Sequence, residues 1–119
     1  MKKSSSLLKG NASTFGRDVL DVVCLIPFGR VTTYGAIAAY LGSKKSSRTV
    51  GWILNSVKGH SAIPAHRVVN RFGLLSGKNH FKSPTTMQEM LESEGINIEN
   101  DLVVDFENYF WNPTSTLSI

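Results

Sequence analysis

Thr32-Thr33-Tyr34-Gly35-Ala36-Ile37-Ala38-Ala39-Tyr40-Leu41-Gly42-Ser43-Lys44-Lys45-Ser46-Ser47-Arg48-Thr49-Val50-Gly51-Trp52-Ile53-Leu54-Asn55 is the stretch whose reading decides the fold. Thr32-Thr33 can cap a helix over Tyr34 to Leu41, with Ile37, Ala38 and Leu41 as its inner stripe and Gly42 at the position where a glycine ends a helix. A basic polar turn, Ser43 to Ser46, leads to a further helix from about Ser47 to Val57, with Val50, Leu54 and Val57 inward. Arg48, Gly51, Trp52 and Asn55 then share its other side, because positions three and four apart stack on one helical face. Two short helices joined by a tight polar turn, the second with a basic and polar outer face, form a helix-turn-helix pattern.

Upstream, Phe15, Val19, Val22, Val23 and Ile26 recur at helical spacing, predicting an amphipathic helix from Thr14 to Ile26 with Ser13 or Thr14 as its cap and Pro27-Phe28-Gly29 as its stop. Arg30-Val31 reads as a short extended piece. Residues 58 to 82 lack helical period, and Val68-Val69 and Leu74-Leu75 are apolar runs fit for the strands of a wing. Ser83-Pro84 then reads as a cap and first-turn proline for a helix burying Met87, Met90 and Leu91 and ending at Gly95. A small hairpin is expected around Asn100-Asp101, followed by the aromatic stretch Tyr109-Phe110-Trp111. The fold class is mainly α with a small β wing: one winged helix-turn-helix domain over 13–119 after a flexible tail, 1–12.

The charge is polarised. All 13 Lys and Arg lie in residues 1–82 against Asp18 and Asp21, a net of +11, while seven acids and no Lys or Arg follow, a net of −7. A basic body of this kind suits a polyanion held at one face, since each neutralised phosphate releases counterions. No run is long and apolar enough for a membrane span, and the basic start lacks the apolar core of a secretory signal. The single cysteine, Cys24, forms no internal disulfide, which fits a reducing intracellular setting (cytoplasm or nucleoid, nucleus in a eukaryote) and makes a metal cluster unexpected. Neither metal nor cofactor is expected. Cys24, beside Leu20 on the first helix, reads as a small core residue.

Val31-Thr32-Thr33-Tyr34-Gly35, Arg48-Thr49-Val50-Gly51 and Ile63-Pro64-Ala65-His66-Arg67-Val68-Val69, with Gly73, resemble the ordered blocks of the DNA-binding domain of O6-alkylguanine-DNA alkyltransferases and, within that family, the alkyltransferase-like proteins. The similarity runs from about Thr14 to Gly95, and Tyr109-Phe110-Trp111-Asn112-Pro113 resembles the ending of some alkyltransferase-like members. In the alkyltransferases, the resemblance implies, a cysteine thiolate stands between the proline and the histidine and attacks the alkyl carbon. Here that position is Ala65, and a methyl group offers neither a lone pair nor an ionisable proton. His66, deprived of that thiol, is expected to make a structural hydrogen bond or a pocket contact, and Arg67 to anchor the loop.

The resemblance further implies that Arg48 is a finger entering the base stack. Tyr34 would crowd the phosphate 3′ to an extruded nucleotide, and the helix of Gly51 would enter the minor groove, where the base code is degenerate. The expected DNA contacts are Arg48, Tyr34, Thr33, Gly51, Trp52 and Asn55, with Arg71 as a further backbone contact; tight helix packing is the other explanation of Gly51. Trp52 departs from the small residue common there. The expected lesion pocket is lined by Tyr34, Leu54, Ala65, His66, Val68, Leu75 and Ser76.

The leading functional reading is a monomeric, non-enzymatic reader of O6-alkylguanine in double-stranded DNA that flips the nucleotide and marks it for nucleotide excision repair proteins. A winged-helix transcriptional regulator reading the major groove is the alternative, although it has no evident need of the Pro64-Ala65-His66-Arg67 loop. An alkyltransferase or hydrolase with a different nucleophile ranks third.

Overall fold

The computed structural model describes residues 12–42, 46–60 and 62–117. The expected tail falls almost wholly outside these residues, as does most of the polar turn between the two central helices.

Helix α1, Ala12–Val23, buries Val19, Val22 and Val23, as its apolar spacing requires. It stops earlier than Ile26, because Leu25 and Ile26 donate to Val22 and Val23 in three-residue turns just before Pro27, which has no N–H to offer. Ending there leaves Cys24 exposed, so its expected place in the core is corrected. Ile26 is buried nonetheless, carried back onto the core by the turn.

Strand β1, Thr32–Thr33, runs directly into α2, Tyr34–Tyr40, which is capped by Thr33 and followed by Gly42 at φ 61°. Helix α3, Ser47–Asn55, packs against α2, with Val50 and Leu54 fully buried and Val57 half-buried just beyond its end. The chain then turns through a short 3₁₀ segment, Ala65–Arg67, into β2, Val68–Val69.

Both apolar runs expected in the wing do carry β structure, but against other partners. Val68 and Val69 pair in parallel with Thr32 and Thr33, while Leu74 bridges to Leu102. Because successive strand residues face opposite ways, Val68 joins the core of α1, α2 and α3, and Val69 joins a second core with Val31, Leu75, Met87, Leu91 and Ile96. One two-residue strand thus ties the helix-turn-helix to the rest of the chain.

Helix α4, Thr86–Ser93, begins later than Ser83-Pro84, which lie in the preceding turn, where the Ser83 carbonyl accepts from the Thr86 N–H. Met87 and Leu91 are buried, whereas Met90 is exposed, a correction to the expected inner stripe. Gly95, at φ 89°, closes the helix as expected: its N–H bonds to the Glu92 carbonyl and the Ile96 N–H to that of Leu91. The hairpin is β3, Ile98–Glu99, against β4, Leu102–Val103, and its turn residues Asn100 and Asp101 both have positive φ, the turn that follows strand twist. Two short helices, α5 (Phe106–Tyr109) and α6 (Pro113–Leu117), complete the chain, with Val31 and Trp111 exchanging backbone bonds to Tyr109 and Val31 and the Trp111 indole buried on the first core.

Candidate nucleic-acid interface

The interface is built on the β1–α2 junction. Thr33 Oγ1 accepts the Ala36 N–H at 3.0 Å, and the side chain is buried. Thr33 therefore supports the surface from beneath, its hydroxyl oxygen capping α2 while its own O–H is not used by that bond. Tyr34, the next residue, lies half-buried below α3. Burial pushes its phenol pKa up, and a hydrogen bond with Ser76 pulls the other way.

Arg48, Gly51, Trp52 and Asn55 do share one side of α3, and with Tyr34, Ser47, Ser76, Gly77 and His80 they line a cleft of about 370 Å³. None of these residues is acidic. Arg48 is exposed, and Trp52 is 79% exposed, too open to be a packing residue. A guanidinium and a bare indole side by side suit a ligand with phosphates and stackable bases. Gly51 lies against the Tyr34 ring. A Cβ at this position would sit 3.7 Å from two ring carbons of Tyr34, an ordinary contact, so the packing of α2 on α3 does not demand glycine. What the missing Cβ leaves uncovered is the Tyr34 ring on the wall of the cleft.

Behind the cleft is a residue that sequence reasoning missed. Lys58, just past α3, is 4% exposed, and its Nζ donates to Asn55 Oδ1 at 3.0 Å and to the Gly77 carbonyl at 3.3 Å. It lies over the rings of Phe81 and Tyr34, 5.5 and 6.0 Å from their centroids. Burial lowers its pKa to about 8, and among the described residues it forms no ion pair. A Cβ on Gly77 would collide with this ammonium and stand 2.8 Å from Tyr34 Oη, so the glycine leaves room for the lysine. Apart from Asn55, its partners Gly77, Phe81 and Tyr34 are all distant in sequence, which is why no local pattern marks it.

The expected lesion pocket is reproduced only in part. Tyr34 and Ser76 line the cleft, but Leu54, Ala65, Val68 and Leu75 are sealed in the two cores, their apolar surface taken up by neighbouring helices and strands. His66 instead lines a second cavity of about 210 Å³ with Lys58, Gly59, His60, Ile63, Phe81, Lys82, Thr86 and Met90.

His66 and Arg67 hold the loop, as the sequence suggested, through a partner it did not reveal. His66 Nε2 lies 2.7 Å from Glu94 Oε2. Arg67 reaches the same carboxylate through Nη2 at 2.9 Å and Nε at 3.1 Å, and its Nη1 donates to the Ile26 carbonyl. The Gly29 N–H adds a further bond to Glu94 Oε1 at 2.8 Å. Burial alone would raise the Glu94 pKa, but the bonds from Arg67, His66 and Gly29 outweigh it and hold the carboxyl below its ordinary range. Burial lowers the His66 pKa despite Glu94, so the ring is neutral, with its proton on Nε2 toward the carboxylate and a bare, unpartnered Nδ1. Arg71 stacks on Phe72 at the exposed turn that follows and is not among the residues of either cavity.

The family model for the 6-O-methylguanine DNA methyltransferase DNA-binding domain matches residues 14–96. The chain belongs to this family. Within it, the chain is 33% identical over 103 residues to alkyltransferase-like protein 1 of Schizosaccharomyces pombe, covering 83% of this chain and 95% of that protein. It is 36% identical over 101 residues to the DNA base-flipping protein of Escherichia coli, covering 83% and 75%. Among solved structures, S. pombe Atl1 in complex with damaged DNA containing O6-carboxymethylguanine matches with a TM-score of 0.76 at 32% identity, over 87% of this chain and 99% of that one. A second complex of the same S. pombe protein with DNA matches at a TM-score of 0.74. The mainly helical domain with its small sheets is thus the fold of this family.

Proposed function

We propose that this chain is a non-enzymatic reader of O6-alkylguanine in double-stranded DNA, which extrudes the altered nucleotide and leaves it chemically unchanged. The observation that carries the reading is Ala65. It starts the 3₁₀ turn beside His66 and is 1% exposed, and neither cavity is lined by a cysteine. His66, neutral and bound to Glu94, has no thiol next to it to activate. Cys24, on the connection after α1, belongs to neither cavity.

Flipping a nucleotide costs a few kcal/mol of lost stacking. Arg48 repays it by filling the vacancy with a planar guanidinium, while Tyr34 crowds the adjoining phosphate, Gly51 lets the backbone approach α3, and Trp52 and Asn55 extend the contact. The family membership, the damaged DNA bound by S. pombe Atl1 and the base flipping for which the E. coli relative is named support this assignment. The monomer with its distorted duplex then serves as the mark that nucleotide excision repair proteins read. No observation favours the regulator or the alternative enzyme.

The test is a titration of two duplexes of one sequence, with and without a single O6-methylguanine, at matched salt, followed by intact-mass measurement of protein and DNA. Tighter binding of the lesion with both masses unchanged is expected. Equal affinities would remove the reading, and a 14-dalton gain on the protein would restore the enzyme.

A further inference from the structure

Two cavities meet at Lys58. The cleft of Arg48 and Tyr34 ends at Asn55 and Gly77, and both of these are hydrogen-bonded by the Lys58 ammonium, which in turn lines the second cavity. The second cavity has an apolar floor of Ile63, Phe81 and Met90, and its polar lining holds two lysines, Lys58 and Lys82, with His60, His66 and Thr86 and no carboxylate. The nearest acid in the network, Glu94, is already shared by Arg67, His66 and the Gly29 N–H. Lys58 is therefore a desolvated cation whose present partners are a neutral amide and a carbonyl. A buried charge so placed is better satisfied by an anion, because a hydrogen bond between two ionised groups is about twice as strong as one to a neutral acceptor.

Resting on the proposed reading of O6-alkylguanine, we propose that the second cavity is a subsite for the O6 substituent and that Lys58 selects substituents ending in a carboxylate over neutral ones of the same size. On entry of such a substituent the ammonium exchanges the Gly77 carbonyl for the carboxylate, and the chain of the substituent lies on Phe81 and Ile63. The volume, about 210 Å³, accommodates a substituent longer than methyl. At neutral pH most of the amine carries its proton, since its pKa is lowered only to about 8.

The test uses four duplexes of one sequence, bearing guanine, O6-methylguanine, O6-carboxymethylguanine or its neutral carboxamide analogue, titrated at matched salt with the full chain and with Lys58→Met and Lys58→Arg. The duplexes differ by one group, so backbone electrostatics cancel in the ratios. The full chain is expected to bind the carboxymethyl lesion at least about fivefold more tightly than the carboxamide, with that ratio falling to about one in Lys58→Met and staying above one in Lys58→Arg. The wild-type ratio reads the proposal without any variant. Carboxamide bound as well as carboxylate by the full chain overturns it, even with methyl still favoured over guanine. A preference that survives Lys58→Met overturns the role of Lys58. Equal binding of all four duplexes removes the lesion reading and this proposal with it.

Discussion

His66 Nε2 and Glu94 Oε2, 28 residues apart in sequence, lie 2.7 Å from one another and pin the Ala65 loop to the end of α4. Because Arg67 and the Gly29 N–H use the same carboxylate, Glu94 is the single point where loop, helix and the β1 approach converge. Glu94→Gln leaves Arg67 facing a neutral group and is expected to destabilise the fold by about 2 to 4 kcal/mol, read as a lower denaturant midpoint at unchanged slope. An unaltered midpoint would refute the anchoring role.

Acid should weaken the same network in two steps. Both His66 and Glu94 are lowered from their ordinary values of 6.5 and 4.5, so on acidification the unfolded chain takes up each proton before the folded chain does. Stability is complete above about pH 6.5, falls as the pH drops below it through His66, and falls again below 4.5 through Glu94. Thermal melts from pH 7.5 to 4 follow this, and the second fall should be shallower in Glu94→Gln. A melting temperature that stays level across both steps would contradict the assignment.

Gly51 separates folding from binding. Since a Cβ there meets Tyr34 only at ordinary contact distance, Gly51→Ala should gain up to about 1 kcal/mol of stability from helix propensity while weakening duplex binding. Unchanged affinity in the stabilised variant would show that nothing approaches α3 at that point.

Lys58 carries the opposite balance. A lysine whose pKa is lowered to about 8 costs stability at neutral pH, as the unfolded chain holds the proton more tightly than the folded one. Lys58→Met is expected to raise stability at pH 7 by about 1 kcal/mol, with the gain vanishing above pH 10.5, where the amine is neutral in both states. A loss of stability at pH 7 would mean that its bonds to Asn55 and Gly77 outweigh its desolvation.

Trp52 and Trp111 are the two indoles of the chain, one 79% exposed on the cleft and the other 8% exposed in the core. Added duplex should quench and shift the Trp52 emission, and the change should disappear in Trp52→Phe with no loss of thermal stability. Emission unaffected by saturating duplex would place the DNA elsewhere.

What was legible in the sequence is what depends on neighbours along the chain. The stripe Val19, Val22 and Val23, the Thr33 cap, the glycine ends at Gly42 and Gly95, the turn at Asn100-Asp101 and the shared side of Arg48, Gly51, Trp52 and Asn55 each follow from local periodicity or turn chemistry. Partnerships across the fold were not legible. Nothing near Glu94 distinguishes it from Glu92, and nothing near Lys58 tells that Gly77 will close over it. The pairing of Val68-Val69 with Thr32-Thr33 rather than Leu74-Leu75 depends on where the intervening helices set the chain down. Cys24 faces outward because α1 stops at Val23, whereas Met90 lies within α4 at the margin of the stripe that buries Met87 and Leu91.

Extrusion of the lesion is proposed to rest on Arg48 and Tyr34. It is tested most directly by a duplex with 2-aminopurine beside a single O6-methylguanine, whose fluorescence rises when its stacking neighbour leaves the helix. A stoichiometric rise is expected on adding the protein, reversed by unlabelled lesion duplex, with Arg48→Ala requiring at least about fivefold more protein, a cost of about 1 kcal/mol. Saturated binding with no rise in fluorescence would contradict it.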